Sequence, residues 1–144
     1  MSLMTVIEVA ASGLSAQRRR LQILVSNMVN ANTTQPAGQE PFRRKDVVFT
    51  STAPRGTFGD AFDDAMEGVS GVEISQVVPD RSEPIKHYEP GHPHADKDGY
   101  VLYPNINPME EMVNVLSATR SYEANLQAVS AAKEMAGKVL EILR

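Results

Sequence analysis

The stretch LMTVIEVAASGLSAQRRRLQILVSNMVNA, residues 3–31, decides the fold, because its apolar residues recur every seven positions. Two rows of side chains follow from this spacing. The first row is Ile7, Leu14, Leu21 and Met28; the second row is Leu3, Ala10, Leu24 and Ala31, interrupted by Gln17. Rows at two such heptad positions form a narrow stripe on an α-helix, and a stripe of this kind needs a partner helix.

The carboxyl-terminal segment carries a matching stripe. Its members are Met112, Val115, Tyr122, Leu126, Val129, Ala136, Leu140 and Leu143, with Thr119 and Lys133 as interruptions. Asn105 or Asn107 suits the N-cap of a helix, and Pro108 suits its first position. Glu110 and Glu111 complement the positive end of the helix dipole. The sequence therefore predicts helices over about residues 2–32 and 105–143.

The segment between these helices, residues 33–104, has a different composition, since it holds eight of the nine prolines. It predicts short strands at 46–50, 71–78 and 99–103. A turn at 79–82 would let residues 84–88 return as a further strand, and Val72, Ile74 and Val78 would share a half-buried face. Residues 53–68 read as a mobile loop.

The predicted fold is mainly α with a small β-rich insert. Two long terminal helices form an antiparallel pair or coiled coil, joined by a short β-hairpin and loop unit. Residues 1–32 and 105–144 would form one discontinuous helical assembly domain. Residues 33–104 would form the insert, with its flexible part near 53–68.

Composition excludes several classes of protein. A net charge of −4 gives no reason to expect a nucleic-acid partner. The absence of cysteine excludes disulfides and thiolate chemistry. No run of about eighteen apolar residues occurs, so no membrane span is expected. The first residues do not resemble a cleavable signal peptide, because they lack a positive region and Glu8 interrupts the apolar stretch.

The best candidate for chemistry is a histidine cluster of His87, His92 and His94 with Asp96, because imidazole and carboxylate groups bind zinc or copper. No distant ligand motif supports it, and the cluster lies in a loop rich in proline and glycine. Neither a GxSxG motif nor a phosphate-binding glycine loop is present. We therefore expect no catalytic residue, no metal and no cofactor, and keep a small histidine-based metal enzyme as the alternative.

Asparagines cluster where the first helix should end, at Asn27, Asn30 and Asn32. An asparagine there can adopt the left-handed conformation that ends a helix. Its amide can also bind free carbonyls or bridge to a neighbouring molecule. The spacing of these asparagines does not show whether they bridge to a neighbouring molecule or only end the helix.

Several motifs resemble those of bacterial flagellar rod and hook proteins. The amino-terminal signature of that family is similar to GLSAQ (13–17), RL (20–21) and NMVNANT (27–33). Six further segments of this chain resemble the proximal-rod members of the family: FRRKDVVF (42–49), YEPGHPHAD (88–96), GYV (99–101), PN (104–105), EEMVN (110–114) and SYEAN (121–125). The resemblance covers nearly the whole chain, and a neighbouring rod paralogue is the main competitor within the family.

This resemblance implies a structural subunit of the flagellar basal body. Such a subunit is exported unfolded by the flagellar type III apparatus, without a cleavable signal peptide, and assembles in the periplasm. There it polymerises with other rod subunits and copies of itself, and transmits torque from motor to hook. Members of the family place their terminal helices in an inner coiled-coil layer.

Two sets of residues follow from these expectations. The predicted assembly interface consists of Ile7, Leu14, Leu21, Leu24, Asn27, Met28, Asn30, Met112, Val115, Tyr122, Leu126, Val129, Leu140 and Leu143. A shaped contact loop would be fixed by Tyr88, Pro90, Pro93, Gly99, Tyr100 and Pro104, because proline and glycine set the path of the backbone.

Overall fold

A computed structural model of the chain describes residues 3–52 and 70–142. The elements in chain order are α1 (Leu3–Val29), β1 (Lys45–Thr52), β2 (Gly71–Pro79), β3 (Ile85–Tyr88), β4 (Tyr100–Tyr103) and α2 (Pro108–Ile142). The prediction of two long helices around a β-containing insert is confirmed. The predicted mobile loop, 53–68, lies outside the described residues.

The two helices lie against each other and run antiparallel. Asn27 Nδ2 lies 3.1 Å from Glu111 Oε2. Fourteen residues earlier in α1, Gly13 faces Asn125, which is fourteen residues after Glu111 in α2. This constant register makes the pair the long axis of the molecule, since a helix rises by about 1.5 Å per residue.

The ends of the helices use asparagine in two ways. At the start of α2, the backbone N–H of Met109 donates to Asn107 Oδ1 at 3.1 Å, which confirms Asn107 as the N-cap. At the end of α1, the predicted left-handed asparagine is wrong, because only glycines have positive φ among the described residues. Instead, Asn30 Nδ2 donates to the Ser26 carbonyl at 2.8 Å, so the side chain itself binds a carbonyl of the last turn.

The strands form two separate two-stranded antiparallel sheets, β1–β2 and β3–β4. The predicted return of β3 onto β2 is therefore wrong. After β2, the backbone N–H of Asp80 donates to the Arg44 carbonyl, which keeps the chain beside the start of β1. The side chain of Asp80 then accepts from the N–H and O–H of Ser82, and the next strand, β3, pairs with β4 and not with β2.

A register shift interrupts the first sheet. Phe49 pairs with Ile74 while Val48 pairs with Gln76, which leaves Ser75 as an extra residue. A bulge of this kind reverses which side chains face inward beyond it. Beyond the bulge, however, Val77 and Val78 are both 37% exposed, so this part of β2 is covered on neither face and the predicted half-buried position of Val78 is wrong.

Small residues dominate the core. The buried apolar side chains among the described residues are Ala10, Ala16, Leu24, Ala31, Val101, Ile106, Ala118 and Ala132. Alanine lets backbones approach closely but buries little apolar area, so each contact stabilises the fold only modestly. Within the described residues, neither helix is both long and apolar enough to cross a membrane.

Candidate assembly surface

The contact face of α2 is displaced by one residue from one predicted row. Glu111, Ala118 and Ala132 are 0–1% exposed, and Asn125 between them faces Gly13. These positions recur every seven residues, each one residue before Met112, Thr119, Leu126 or Lys133. The other predicted row, from Val115 through Tyr122, Val129 and Ala136, is half-buried.

The same displacement occurs in α1. Ala10, Leu24 and Ala31 of the second row are buried, as expected for a helix contact. Gly13 and Asn27, which are also buried, each lie one residue before a member of the first row. The α1–α2 contact thus uses small and polar side chains, and the larger first-row side chains flank it.

The predicted interface residues therefore fall into groups that differ in exposure. Leu24 and Asn27 are buried inside the chain. The half-buried members are Ile7, Leu14, Leu21, Asn30, Val115, Tyr122 and Val129. The exposed members are Met28, Met112, Leu126 and Leu140. Leu143 lies outside the described residues. Among the described interface residues, only the half-buried and the exposed side chains offer apolar surface to another molecule.

A buried polar cluster joins the helix pair to the insert. Asn27 is fully buried, and its Nδ2 donates both to the Lys45 carbonyl at 2.7 Å and to Glu111 Oε2 at 3.1 Å. Its Oδ1 accepts from the Lys45 N–H at 2.9 Å. The amide of Asn27 thereby pairs with the backbone of β1 as a neighbouring strand would, which fixes β1 against the end of α1.

The carboxylate in this cluster belongs to Glu111, which is 1% exposed. Its Oε1 accepts from Arg44 Nε at 2.6 Å, and this hydrogen bond raises the pKa of Arg44 above its ordinary value. A buried carboxylate needs such a partner, because desolvation of an unpaired charge is costly. Arg44 and Glu111 were missed as a pair from the sequence, since Glu111 fits the first turn of a helix equally well.

The shaped loop is folded back on itself between β3 and β4. The rings of Tyr88 and Tyr100 meet edge to face, with centroids 5.3 Å apart. Gly99 has a φ of +82°, and a Cβ there would lie 3.0 Å from Tyr88 and 3.2 Å from the Cβ of Pro90. The predicted loop residues Pro93 and Pro104 flank this turn, Pro104 being buried. Gly99 is thus required by both conformation and space.

The histidines make structural contacts. His94 Nδ1 lies 2.8 Å from Thr34 Oγ1, which connects the loop to the segment after α1. His92 Nδ1 accepts from the His94 N–H at 3.1 Å. His87 packs edge to face on Tyr103, away from the other two. Over the described ranges, no three His, Asp or Glu side chains converge as a metal site.

Comparison with known proteins assigns the chain to a family. A model described as flagella basal body rod protein matches residues 7–36, and one described as flagellar basal body rod FlgEFG protein C-terminal matches residues 97–142. The flagellar basal-body rod protein FlgC of Salmonella typhimurium is 38% identical over 99% of this chain and 98% of its own length. The chain belongs to the FlgC family of flagellar basal-body rod proteins.

Other relatives of this rod family extend the match. FlgC of Bacillus subtilis is 40% identical over 94% of this chain and 95% of its own length. FlgC of Borreliella burgdorferi is 38% identical over 100% of this chain and 99% of its own length. Coverage of this extent favours FlgC over the neighbouring rod paralogues as the relevant comparison.

The rod-family matches coincide with the elements of the helix pair. Residues 7–36 contain most of α1, and residues 97–142 contain β4 and all of α2. Asn27 and Glu111, which meet in the buried cluster, lie in the two different matched segments. Both residues also bind the segment between the two matches, Asn27 through the Lys45 carbonyl and Glu111 through the side chain of Arg44.

Proposed function

We propose that this structural rod subunit polymerises through its terminal helices, with other rod subunits and with copies of itself. The observation that supports this proposal is the exposure of large apolar side chains on the helix pair. Met112 is 53% exposed, Leu126 49% and Leu140 68%, while small residues fill the α1–α2 contact. Exposed apolar rows of this size are typical of surfaces that become buried on assembly.

The half-buried first row extends this proposed surface onto α1. Ile7, Leu14 and Leu21 flank the α1–α2 contact rather than filling it. Side chains in such positions can be covered by a third helix without disturbing the existing pair. We infer that each helix pair packs sideways against helices of neighbouring subunits.

Torque transmission from motor to hook would follow from many such contacts acting together. Each is modest, but the helices share load along their length, and the Asn27–Glu111–Arg44 cluster holds the insert in a fixed orientation to them. A hydrogen-bonded cluster whose amide and carboxylate are buried, as those of Asn27 and Glu111 are, resists reorientation more than an exposed ion pair does. The subunit would then behave as a stiff element of the polymer.

We also propose export in unfolded form through the flagellar type III apparatus, with assembly in the periplasm and no enzymatic activity. The alanine-rich core supports this route. A fold that buries few large apolar side chains has a small free energy of unfolding, so it can be unfolded at low cost before export.

Replacement of Leu126 by Asp tests the assembly surface. Leu126 is half-exposed in the isolated chain, so the variant should keep its helical circular dichroism while rod assembly and motility are lost. Leu21→Asp should also block assembly. Leu126→Ala should cost roughly 2–5 kcal/mol in the assembled state if the side chain is fully buried there.

Ser130→Asp is the matched control, because it adds the same charge at an exposed polar position of α2. This variant should assemble normally. Normal motility of the Leu126→Asp variant would contradict the proposed surface. Loss of rod assembly in both Leu126→Asp and Ser130→Asp would show that added charge on α2, and not the loss of an apolar side chain, blocks assembly. Deletion of the gene should abolish hook and filament, which tests the rod function itself.

A further inference from the structure

The β1–β2 hairpin lies along α1 and is attached to it at both ends. At one end, the Asn27 amide binds the carbonyl and the N–H of Lys45 at 2.7 and 2.9 Å. At the other end, the Val72 N–H donates to Ser12 Oγ at 3.0 Å. The helix from Ser12 to Asn27 and the strand from Lys45 to Thr52 are each about 23 Å long. The hairpin therefore runs alongside the helix axis between two anchors.

The two anchors differ in how firmly they hold the hairpin. Asn27 is fully buried, and beside it Arg44 binds the buried Glu111 at 2.6 Å. Ser12 is only half-buried, and it accepts a single hydrogen bond from the hairpin. A buried network is held more strongly than one partly exposed hydrogen bond, so the Ser12 end should open first.

A bulge between the anchors gives the hairpin a place to bend. Phe49 pairs with Ile74 and Val48 pairs with Gln76, so Ser75 is an extra residue. A bulge interrupts the ladder and bends the strand that carries it. We call residues 49–52 and 71–74 the strap, and the contact of Val72 with Ser12 the latch. The strap can move about the bulge while residues 45–48 and 76–79 keep their orientation to the helices.

The hairpin side of α1 carries a further apolar row. Val9, Ala16 and Ile23 recur every seven residues, and steps of three or four residues connect them with Ser12 and Asn27. Ala16 is 4% exposed, while Val9 and Ile23 are half-buried. A row with this spacing suits a partner helix, whereas the side chains of a strand alternate every two residues. The hairpin therefore meets this face of α1 only at separate points.

One of these points belongs to the strap. The Arg20 guanidinium lies 5.9 Å from the centre of the Phe49 ring, and both side chains are half-buried. Opening the strap breaks this contact and the latch but leaves the buried cluster at Asn27 intact. The closed strap is thus a weak cover over a row that a helix would fit better.

We propose that the closed strap is an autoinhibitory contact, which opens at the latch when Val9, Ala16 and Ile23 pack on a helix of a neighbouring rod subunit. This inference rests on the proposed rod function and adds a conformational step to it. A partner helix shifts the strap towards the open state only because it binds the uncovered row. A single subunit keeps the row covered, which limits the exposed apolar surface before assembly.

A disulfide can hold the latch closed, because the natural sequence has no cysteine. A Cβ built on Gly71 lies 3.5 Å from the Ser12 Cβ, and disulfide-bonded Cβ atoms lie about 3.5–4.5 Å apart. The same Cβ would lie 2.6 Å from Thr52 Oγ1, so Thr52→Ala accompanies Ser12→Cys and Gly71→Cys. Cells whose only copy of the chain carries these changes should form several-fold fewer hooks under oxidising conditions, and dithiothreitol should restore the hooks.

The control pair is Val47→Cys with Val77→Cys, which lie directly opposite each other in the half of the hairpin that does not move. The oxidised control should form hooks normally. A disulfide at either place would hinder export equally, so the control also accounts for export. Normal hook numbers with the latch disulfide intact in isolated basal bodies, or an equal loss of hooks in the control, would overturn the inference.

Hydrogen exchange of the purified chain tests the strap without assembly. In the reduced latch variant, the amides of the strap should exchange several-fold faster than those of residues 45–48, and the disulfide should remove this difference. Equal exchange of the two halves in the reduced chain would show that the bulge is not a hinge. If the chain with a closed latch assembles while Leu126→Asp still blocks assembly, the strap has no role and the proposed assembly surface stands.

Discussion

Gly13 of α1 and Asn125 of α2 meet so closely that a Cβ on Gly13 would collide with the Asn125 amide. A Cβ built on Gly13 would lie 2.8 Å from Nδ2 of Asn125 and 3.1 Å from its Cγ. Separations under about 3 Å are not made by real Cβ atoms, so the amide or the helix axis would have to move. The distance between the helices is therefore set by a glycine facing a short polar side chain.

Gly13→Ala should destabilise the isolated chain by about 1–3 kcal/mol, the usual cost of overpacking, although alanine favours helix by about 1 kcal/mol. Gly137→Ala is the matched control, because nothing lies within 4 Å of its Cβ position; it should stabilise the chain slightly. Urea unfolding followed by circular dichroism measures both. Adding Asn125→Ala should restore part of the loss, and equal effects of the two glycine changes would exclude the close contact.

The sequence predicted the helices well but placed part of their contact one residue away. Large apolar side chains define a heptad row most visibly, so Leu14, Met28 and Leu126 were assigned to the contact. The actual contact uses positions such as Gly13 and Ala118, whose small size carries no periodic hydrophobic signal. Which face packs inside the chain depends on the partner, and a single helix sequence does not contain that information.

For the strands too, the sequence predicted their positions but not their partners. Their positions followed from β-branched and aromatic residues, but their pairing depended on Asp80 binding the Arg44 carbonyl, a contact between residues far apart in sequence. The buried cluster was hidden for the same reason. Asn27 was identified as a residue of interest, whereas its partners Arg44 and Glu111 become evident only when three elements are brought together.

Glu111→Gln should destabilise the chain by about 1–3 kcal/mol, because it removes the charge that pairs with Arg44 at 2.6 Å inside the buried cluster. Glu110→Gln is the control, since Glu110 is exposed and should change stability by less than about 0.5 kcal/mol. A double-mutant cycle with Arg44→Gln should show coupling of about 0.5–3 kcal/mol. Additive effects of the two changes would mean that the pair contributes nothing to stability.

Gly99→Ala should destabilise the loop between β3 and β4 by about 1–2 kcal/mol, because its φ of +82° is unfavourable for any residue with a Cβ. Crowding by Tyr88 and Pro90 adds to this cost. The control is Gly91→Ala. Gly91 lies in the same loop with nothing within 4 Å of its Cβ position, so this change should leave stability nearly unaltered. Thermal unfolding compares them; similar melting temperatures would show that the turn is not constrained.

Tyr103 should ionise at a higher pH than an unperturbed tyrosine, because its pKa is raised. Desolvation raises its pKa, and the hydrogen bond that its O–H donates to Glu89 at 3.2 Å raises it further. Because the folded state holds this proton more tightly, the contribution to stability is complete below the tyrosine pKa of about 10 and is lost as the pH rises through the folded value. Absorbance titration at alkaline pH should lose a component above the ordinary tyrosine pKa of about 10 in Tyr103→Phe; an unchanged titration would contradict the assignment.

Replacing His92 and His94 together by Gln should leave rod assembly nearly intact. The double change removes the contact of His94 with Thr34 at 2.8 Å and the hydrogen bond that His92 Nδ1 accepts from the His94 N–H at 3.1 Å. Stability should therefore fall by about 1–3 kcal/mol, since one hydrogen bond contributes about 0.5–1.5 kcal/mol. Thr34→Val removes only the first contact and should cost about half as much, which makes it the partial control. Motility and unfolding are measured in parallel, with metal analysis of the purified protein. If the double change abolished assembly, and zinc restored assembly of the natural chain after chelation, a metal site would replace the structural role assigned to these histidines.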